Sequence, residues 1–254
     1  MGKVMAVANQ KGGVGKTTTA INVAACLGKK NKKVLIVDTD PQGNTTSGFG
    51  INKQELTLTS YNIILGEERI SDIIIKTSFK NVDIVPASIN LAAAEIELAE
   101  QKDRLSKIRN AIAPIKDNYD YIIIDCPPSL GLITLNALGS ADSIIMPIQC
   151  EYYALEGLSQ LMDTVRRVKK TSNPNIEVEG VLLTMYDGRL NLTLQVADNV
   201  KKFFKDKVFK TVIPRNVRLS EAPSFGQPII YYDGASKGAT AYMELTKEII
   251  KNNK

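Results

Sequence analysis

The chain has 254 residues, 44% hydrophobic and 23% charged, values ordinary for a soluble globular protein and sufficient to bury a sizeable core. It contains no histidine, which excludes histidine acid–base chemistry and histidine metal sites, and its three scattered cysteines (Cys26, Cys126, Cys150) suit a reducing cytoplasm rather than a disulfide framework or a thiolate metal site. The net charge of +5 is uneven: residues 163–254 hold 16 Lys and Arg against 10 Asp and Glu, a balance that fits either a polyanion partner or a solvated lysine-rich surface.

The N-terminus runs straight into VMAVAN and a glycine loop with no signal-peptide pattern, and no apolar run reaches the ~18 residues a membrane span needs. Short β-branched apolar runs at Val4–Ala8, Val34–Asp38, Val82–Pro86, Tyr121–Asp125, Ser143–Ile148, Gly180–Thr184 and Val208–Pro214 predict buried strands. Between them, helices are predicted over the Ala-rich Lys16–Lys29, over Leu91–Ile112 with Ile96, Leu105, Ile108 and Ile112 inward, and over Leu155–Val168. A further helix is predicted around Val196, Val200, Phe203 and Phe204. Ser47–Lys80 is the least regular stretch and reads as a surface insertion with one or two short helices. The alternation predicts an α/β fold: a single domain over residues 1–254, with a mostly parallel twisted sheet of about seven or eight strands and helices on both faces.

The chemistry begins at Asn9–Thr19, NQKGGVGKTTT, between the first strand and the first helix. Strand, glycine loop and helix in that order form a phosphate-binding loop: glycines let backbone N–H groups turn inward, and the helix N-terminus adds partial positive charge. Gly12, Gly13, Val14, Gly15, Lys16, Thr17 and Thr18 are the predicted phosphate cradle, with Lys16 on the β- and γ-phosphates and the Thr17 hydroxyl on Mg²⁺. The usual pattern has a glycine where this chain has Gln10, and a second lysine, Lys11, stands beside it. Val34–Asp38 runs into DTDPQGN, which puts Asp38 and Asp40 at the ligand edge of a parallel sheet; a capping pair for the next segment is the alternative and fits less well. YIIID ends in Asp125, a Walker B-like ligand for Mg²⁺ through water, followed by CPPSLG, whose Pro127 and Pro128 stiffen a turn able to sense a γ-phosphate. Cys126 reads as packing. Met185 and Pro214 close two strand runs and belong at the same edge.

From Lys3 to Ile250, the segments NQKGGVGKTTTAINVA, VDTDPQGN, DYIIIDCPPSLG, PIQCEYYALEGL, GVLLTMYD and IPRNVRLSEAPSFGQPI resemble the ParA/MinD group of ATPases, and within it the short chromosomal ParA type often called Soj. The K-G-G-x-G-K-[ST] loop is the deviant form found there. The resemblance implies that Lys11 crosses a dimer interface to the partner's nucleotide, that Asp40 orients the attacking water, and that Asp38 lies near Mg²⁺. It also implies that Met185 and Pro214 pack on adenine, and that Arg189 and Arg218 bind DNA. Lys201, Lys202, Lys205, Lys247 and Lys251 are looser candidates for DNA contact. The implied protein uses ATP and Mg²⁺ and pairs into a homodimer on ATP. It binds double-stranded DNA without sequence preference, and it is released when a ParB/Spo0J-type partner stimulates weak intrinsic hydrolysis, with a cytoplasmic, nucleoid-associated location. It has no N-terminal helix-turn-helix extension. A MinD-like membrane ATPase is the alternative; MELTKEIIKNNK reads instead as core packing by Leu245, Ile249 and Ile250 followed by a frayed tail.

Overall fold

The computed structural model describes residues 2–151 and 154–253, so Tyr152 and Tyr153 of the PIQCEYYALEGL segment lie outside the described residues. The apolar runs become β1 (Lys3–Val7), β2 (Val34–Asp38), β3 (Ile75–Lys76), β4 (Val82–Val85), β5 (Tyr121–Asp125), β6 (Ser143–Gln149) and β7 (Glu177–Thr184). They form one seven-stranded sheet in the order β3-β4-β2-β5-β1-β6-β7. All pairings are parallel except β3 on β4.

Alternate residues of each strand feed two cores, one on each face. Val4, Ala6, Leu35, Ile122 and Ile124 pack under the helices Leu91–Ala99, Lys107–Ile112, Leu132–Ser140 and Ala154–Thr171. Met5, Val7, Ile36 and Ile123 pack under Lys16–Lys29 and Lys237–Asn252. With both faces covered, the strands are apolar throughout rather than alternating. Leu245 and Ile249 are fully buried in the second core, as the sequence reading requires; each such side chain contributes roughly 1.5–3 kcal/mol.

Three expectations are corrected. Val208–Pro214 is not a continuous strand; it runs beside β7 through isolated bridges, Val181 to Val208 and Tyr186 to Pro214, and a few backbone bonds such as Ile213 N to the Leu183 carbonyl at 2.8 Å. The backbone N–H groups of Lys210 and Thr211, in the middle of the run, donate instead to the Glu248 carboxylate, at 2.8 and 3.1 Å, so the C-terminal helix takes two of the donors a continuous ladder would have used. Leu91–Ile112 is two helices, because Asn136 of a neighbouring helix captures the Arg104 carbonyl and the Lys107 N–H in the gap. The first of these buries Leu91, Ala94 and Leu98, which leaves Ile96 78% exposed. Phe203 likewise faces solvent, while its neighbour Phe204 is buried. The Ser47–Lys80 stretch holds the short helices Ser60–Leu65 and Ile70–Ile73, and also the edge strand β3, which two residues were too short to announce.

Candidate functional site

Register brings the site together. Val7 and Asp38 both stand opposite Asp125 at the C-terminal ends of β1, β2 and β5, where open parallel sheets bind ligands. The glycine loop leaves β1 at that edge. Gly13 and Gly15 have φ of 73° and 88°, values that L-residues rarely adopt, and Gly15 is the residue from which Lys16–Lys29 starts. The loop is braced from outside: Asn9 Nδ2 donates to the Pro147 carbonyl at 2.8 Å and its Oδ1 accepts from Lys11 N at 3.0 Å, while Thr184 Oγ1 donates to the Val14 carbonyl at 2.8 Å. Asn9 and Thr184 went unnoticed in the sequence reading; both are hydrogen-bonding residues at strand ends, and only the sheet order shows that they meet the loop.

The two lysines are placed differently. Lys16 is buried and its Nζ donates back to the Lys11 carbonyl at 3.0 Å. Burial lowers its pKa, and Asp125, Cys126 and Asp40 nearby offset part of that. Lys11 is half-exposed, and its Nζ pairs with Glu151 Oε2 at 2.7 Å. One cation points into the cradle; the other stands at its outer rim.

Asp125 Oδ2 accepts from Thr17 Oγ1 at 2.8 Å and from Thr45 Oγ1 at 2.7 Å, whereas Oδ1 is buried with no hydrogen-bond partner. An orphaned carboxylate oxygen beside a threonine hydroxyl is a donor set suited to Mg²⁺, which keeps waters and phosphate oxygens in its shell rather than demanding a protein cage. Accordingly, no group of three or more acidic, thiol or imidazole side chains positioned for a metal occurs among the described residues. Asp38 is differently engaged: Oδ2 accepts from Thr46 N and Oγ1 at 2.8 and 2.7 Å, and Oδ1 accepts from Asp40 N at 3.2 Å. It braces the loop that carries Asp40, whose own Oδ1 accepts from Gln42 N at 2.9 Å. Cys126 is buried and its thiol is pushed up by desolvation, consistent with packing rather than nucleophilic use.

Asp38 and Asp125 are both fully buried, and burial is the main cause that raises both pKa values; the negative charge of Asp38 adds to the rise at Asp125, and that of Asp40 adds to it at Asp38. A carboxylate titrating higher in the folded than in the unfolded chain binds extra protons on folding. Stability of the ligand-free chain should therefore fall as pH rises from the ordinary carboxylate range, ~pH 4, towards neutrality. Thermal melts in Mg²⁺-free buffer should show the midpoint higher at pH 6 than at pH 8, on the order of 2–4 °C for each kcal/mol of linkage. An Asp38→Asn variant should flatten that dependence; an unchanged slope would mean the pair is not repulsive.

Met185 and Pro214 face one cavity. With Gly15, Thr18, Thr184 and Arg215 they line a cavity of about 440 Å³ beside the loop, within the range of small-ligand pockets. Met185 holds a left-handed φ of 47°, a strained setting for a non-glycine residue at a pocket wall. Arg215 and Asn216, also on this wall, were missed: they follow directly on the predicted run Val208–Pro214, and only the folded course of the chain brings them to the loop.

The basic candidates are exposed, and three of the seven are paired with carboxylates. Arg189 grips Asp187 at 2.8 and 2.7 Å, Arg218 reaches Glu221 at 2.8 Å and Asp233 at 3.4 Å, and Lys247 pairs with Glu244 at 2.6 Å. Lys201 and Lys202 end the helix Asn191–Phe204, Lys205 follows it, and Lys251 lies on the exposed side of the last helix. Such surface pairs are weak, so a phosphate can compete for the cations.

Comparison with known proteins agrees with this geometry. A family model described as an AAA domain matches residues 2–178. The sporulation initiation inhibitor protein Soj of Bacillus subtilis is 58% identical over 252 residues, 99% of this chain and 100% of that protein. The chromosome partitioning protein ParA of Myxococcus xanthus is 51% identical, over 100% of this chain and 89% of its own length. Among solved structures, cobyrinic acid a,c-diamide synthase of Mycobacterium smegmatis, bound to an ATP analogue and magnesium, superposes with a TM-score of 0.87 at 35% identity, over 99% of this chain and 96% of that one. The loop with two lysines, the paired aspartates at the sheet edge and this full-length identity together place the chain in the ParA/Soj family of chromosome-partitioning ATPases.

Proposed function

We propose that the chain is an ATP-switched DNA-partitioning ATPase that works as a pair of subunits. The observation that carries this reading is the division of labour between the two loop lysines. Lys16, buried and aimed into the loop, meets the β- and γ-phosphates of the chain's own ATP. Lys11, at the rim and paired there with the half-exposed Glu151 carboxylate, can transfer from Glu151 to a partner's nucleotide. Two triphosphates face to face repel strongly, and a cation donated by each subunit offsets that repulsion in a partly dehydrated interface.

Gly12 to Thr18 hold the phosphates with backbone N–H groups and the helix N-terminus. Thr17 and Asp125 Oδ1 are the residues that would hold Mg²⁺, with Asp38 behind them as the brace of the Asp40 loop. The bound ion supplies charge neutralisation on the phosphate oxygens. Asp40 orients a water for in-line attack. Met185 and Pro214 pack on the adenine, inside the cavity they line.

DNA is held through phosphates alone, by Arg189 and Arg218 with help from Lys201, Lys202, Lys205, Lys247 and Lys251. This binding is sequence-independent and salt-sensitive. Pairing doubles the simultaneous contacts, which lets ATP gate DNA affinity. A ParB/Spo0J-type partner stimulates hydrolysis and releases the pair from the nucleoid. An electrophoretic shift with ATP, run at several salt concentrations, tests the reading. Arg189→Glu or Arg218→Glu should weaken binding to every DNA sequence and reduce the salt slope by about one, with ATP-dependent pairing intact. Unchanged DNA affinity in both variants would make these arginines ordinary surface residues. ATP-dependent pelleting with anionic liposomes and none with DNA would favour a membrane-directed ATPase instead.

A further inference from the structure

The helix Leu132–Ser140 follows directly on the turn after Asp125, and it starts without a cap of its own. Gly131 offers no side chain at the N-cap position, and no acidic residue stands in the first turn. The acceptor comes from another helix: Glu95, on Leu91–Ala99, places Oε1 3.5 Å from the Ile133 N–H. A carboxylate at a helix N-terminus is favoured both by the unsatisfied N–H groups and by the helix dipole.

Gly131 explains itself by that contact. Its φ of −76° is one any residue adopts, so glycine is not needed for backbone freedom. A β-carbon there would lie 2.8 Å from Glu95 Cδ and 2.9 Å from Oε2, inside the carboxylate's van der Waals surface. With glycine as the last residue of CPPSLG, Glu95 can sit against the backbone; a β-carbon would push its flexible carboxylate aside.

The carboxylate touches a segment that is tied to the site on both sides. Thr134 Oγ1 donates to the Ser129 carbonyl at 2.7 Å, which couples the turn to the helix behind it. In the segment that leads into the Glu95 helix, Ala87 N donates to Thr46 Oγ1 at 2.9 Å, and that hydroxyl donates to Asp38 Oδ2 at 2.7 Å. Glu95 thus joins the segment leaving Asp38 to the turn leaving Asp125.

We propose that Glu95 is a positioning residue for ATP hydrolysis, its carboxylate, admitted by Gly131, holding the turn after Asp125 in the register that meets the γ-phosphate. This rests on the ATPase reading above. Glu95→Ala and Gly131→Ala should each lower kcat about tenfold, since small displacements of a positioned group cost at least that much, with KM for ATP and affinity for ADP close to wild type. The two changes should not add, because the second removes a contact the first has already lost. Glu95→Gln, which keeps an acceptor oxygen of the same reach, should recover most of the rate.

The experiment is steady-state hydrolysis by the full chain and these four variants, the double variant included, with ADP affinity measured alongside. Wild-type turnover together with unchanged kcat in Glu95→Ala and Gly131→Ala would overturn the clamp alone. Loss of ADP binding in Glu95→Gln would assign Glu95 a merely structural role and overturn it too. A wild-type chain that hydrolyses no ATP would sink the underlying reading and this one with it.

Discussion

Lys16→Ala should abolish ATP binding. Lys16 is buried at the start of its helix, with its ammonium against the Lys11 carbonyl and close to Asp125 and Asp40. Desolvation has already been overcome in the folded chain, so a phosphate arriving at the loop meets a cation stripped of most of its water. Charge-assisted hydrogen bonds of that kind are worth about 1.5–3 kcal/mol each, and a lysine spanning two phosphates makes more than one. The loss should exceed about a hundredfold in Kd. Titration with a fluorescent ATP analogue measures it; affinity within a few-fold of wild type would mean that the loop does not hold phosphate as described. The fold should survive, because the alanine removes a buried charge and leaves the glycine loop braced by Asn9 and Thr184.

Asp40→Ala should separate binding from hydrolysis. Asp40 is carried on a loop fixed by Asp38, which accepts from its backbone N–H at 3.2 Å, and Asp38 is itself fixed by two bonds from Thr46. The loop therefore keeps its course when the Asp40 side chain is removed. A side chain that orients or deprotonates an attacking water contributes typically 10²–10⁴-fold. The variant should bind ATP and form pairs like the wild type while phosphate release falls by roughly that factor. Normal turnover would remove Asp40 from the reaction, and loss of ATP affinity would recast it as part of the binding cradle.

Much of this arrangement is legible in the sequence, for reasons that can be named. Strands buried on both faces are nearly continuous in Val, Ile and Leu, so β2, β5 and β6 stand out from their surroundings. Glycines at positive φ followed by Lys-Thr mark the phosphate loop, because few other sequences build that turn. Asp38 and Asp125 end their strands, and parallel register sets them side by side.

What escaped depends on contacts between distant segments. Val208–Pro214 has strand composition, yet Glu248, nearly forty positions away, takes two of its central N–H groups. The break after Ala99 is made by Asn136 from another helix. Ile96 fits a helical stripe but faces solvent, because the stripe chosen by the core is Leu91, Ala94 and Leu98. At the site itself, Lys11 and Lys16 are equally visible as letters. That one is buried and the other rests on Glu151 follows only from the path of the loop over the sheet edge. Nothing around Gly131 in the sequence points to Glu95, 36 positions earlier, which lies against it in the fold.

The division of labour between the two lysines is tested most directly by the mass of the nucleotide-loaded particle, measured by light scattering after size-exclusion chromatography with a non-hydrolysable ATP analogue and Mg²⁺. Wild-type chain should run at twice its 27.8 kDa, while Lys11→Ala should stay at the single-chain mass with the analogue still bound. A wild-type chain that is saturated with nucleotide yet remains at 27.8 kDa, or a Lys11→Ala variant that pairs as well as the wild type, would contradict it.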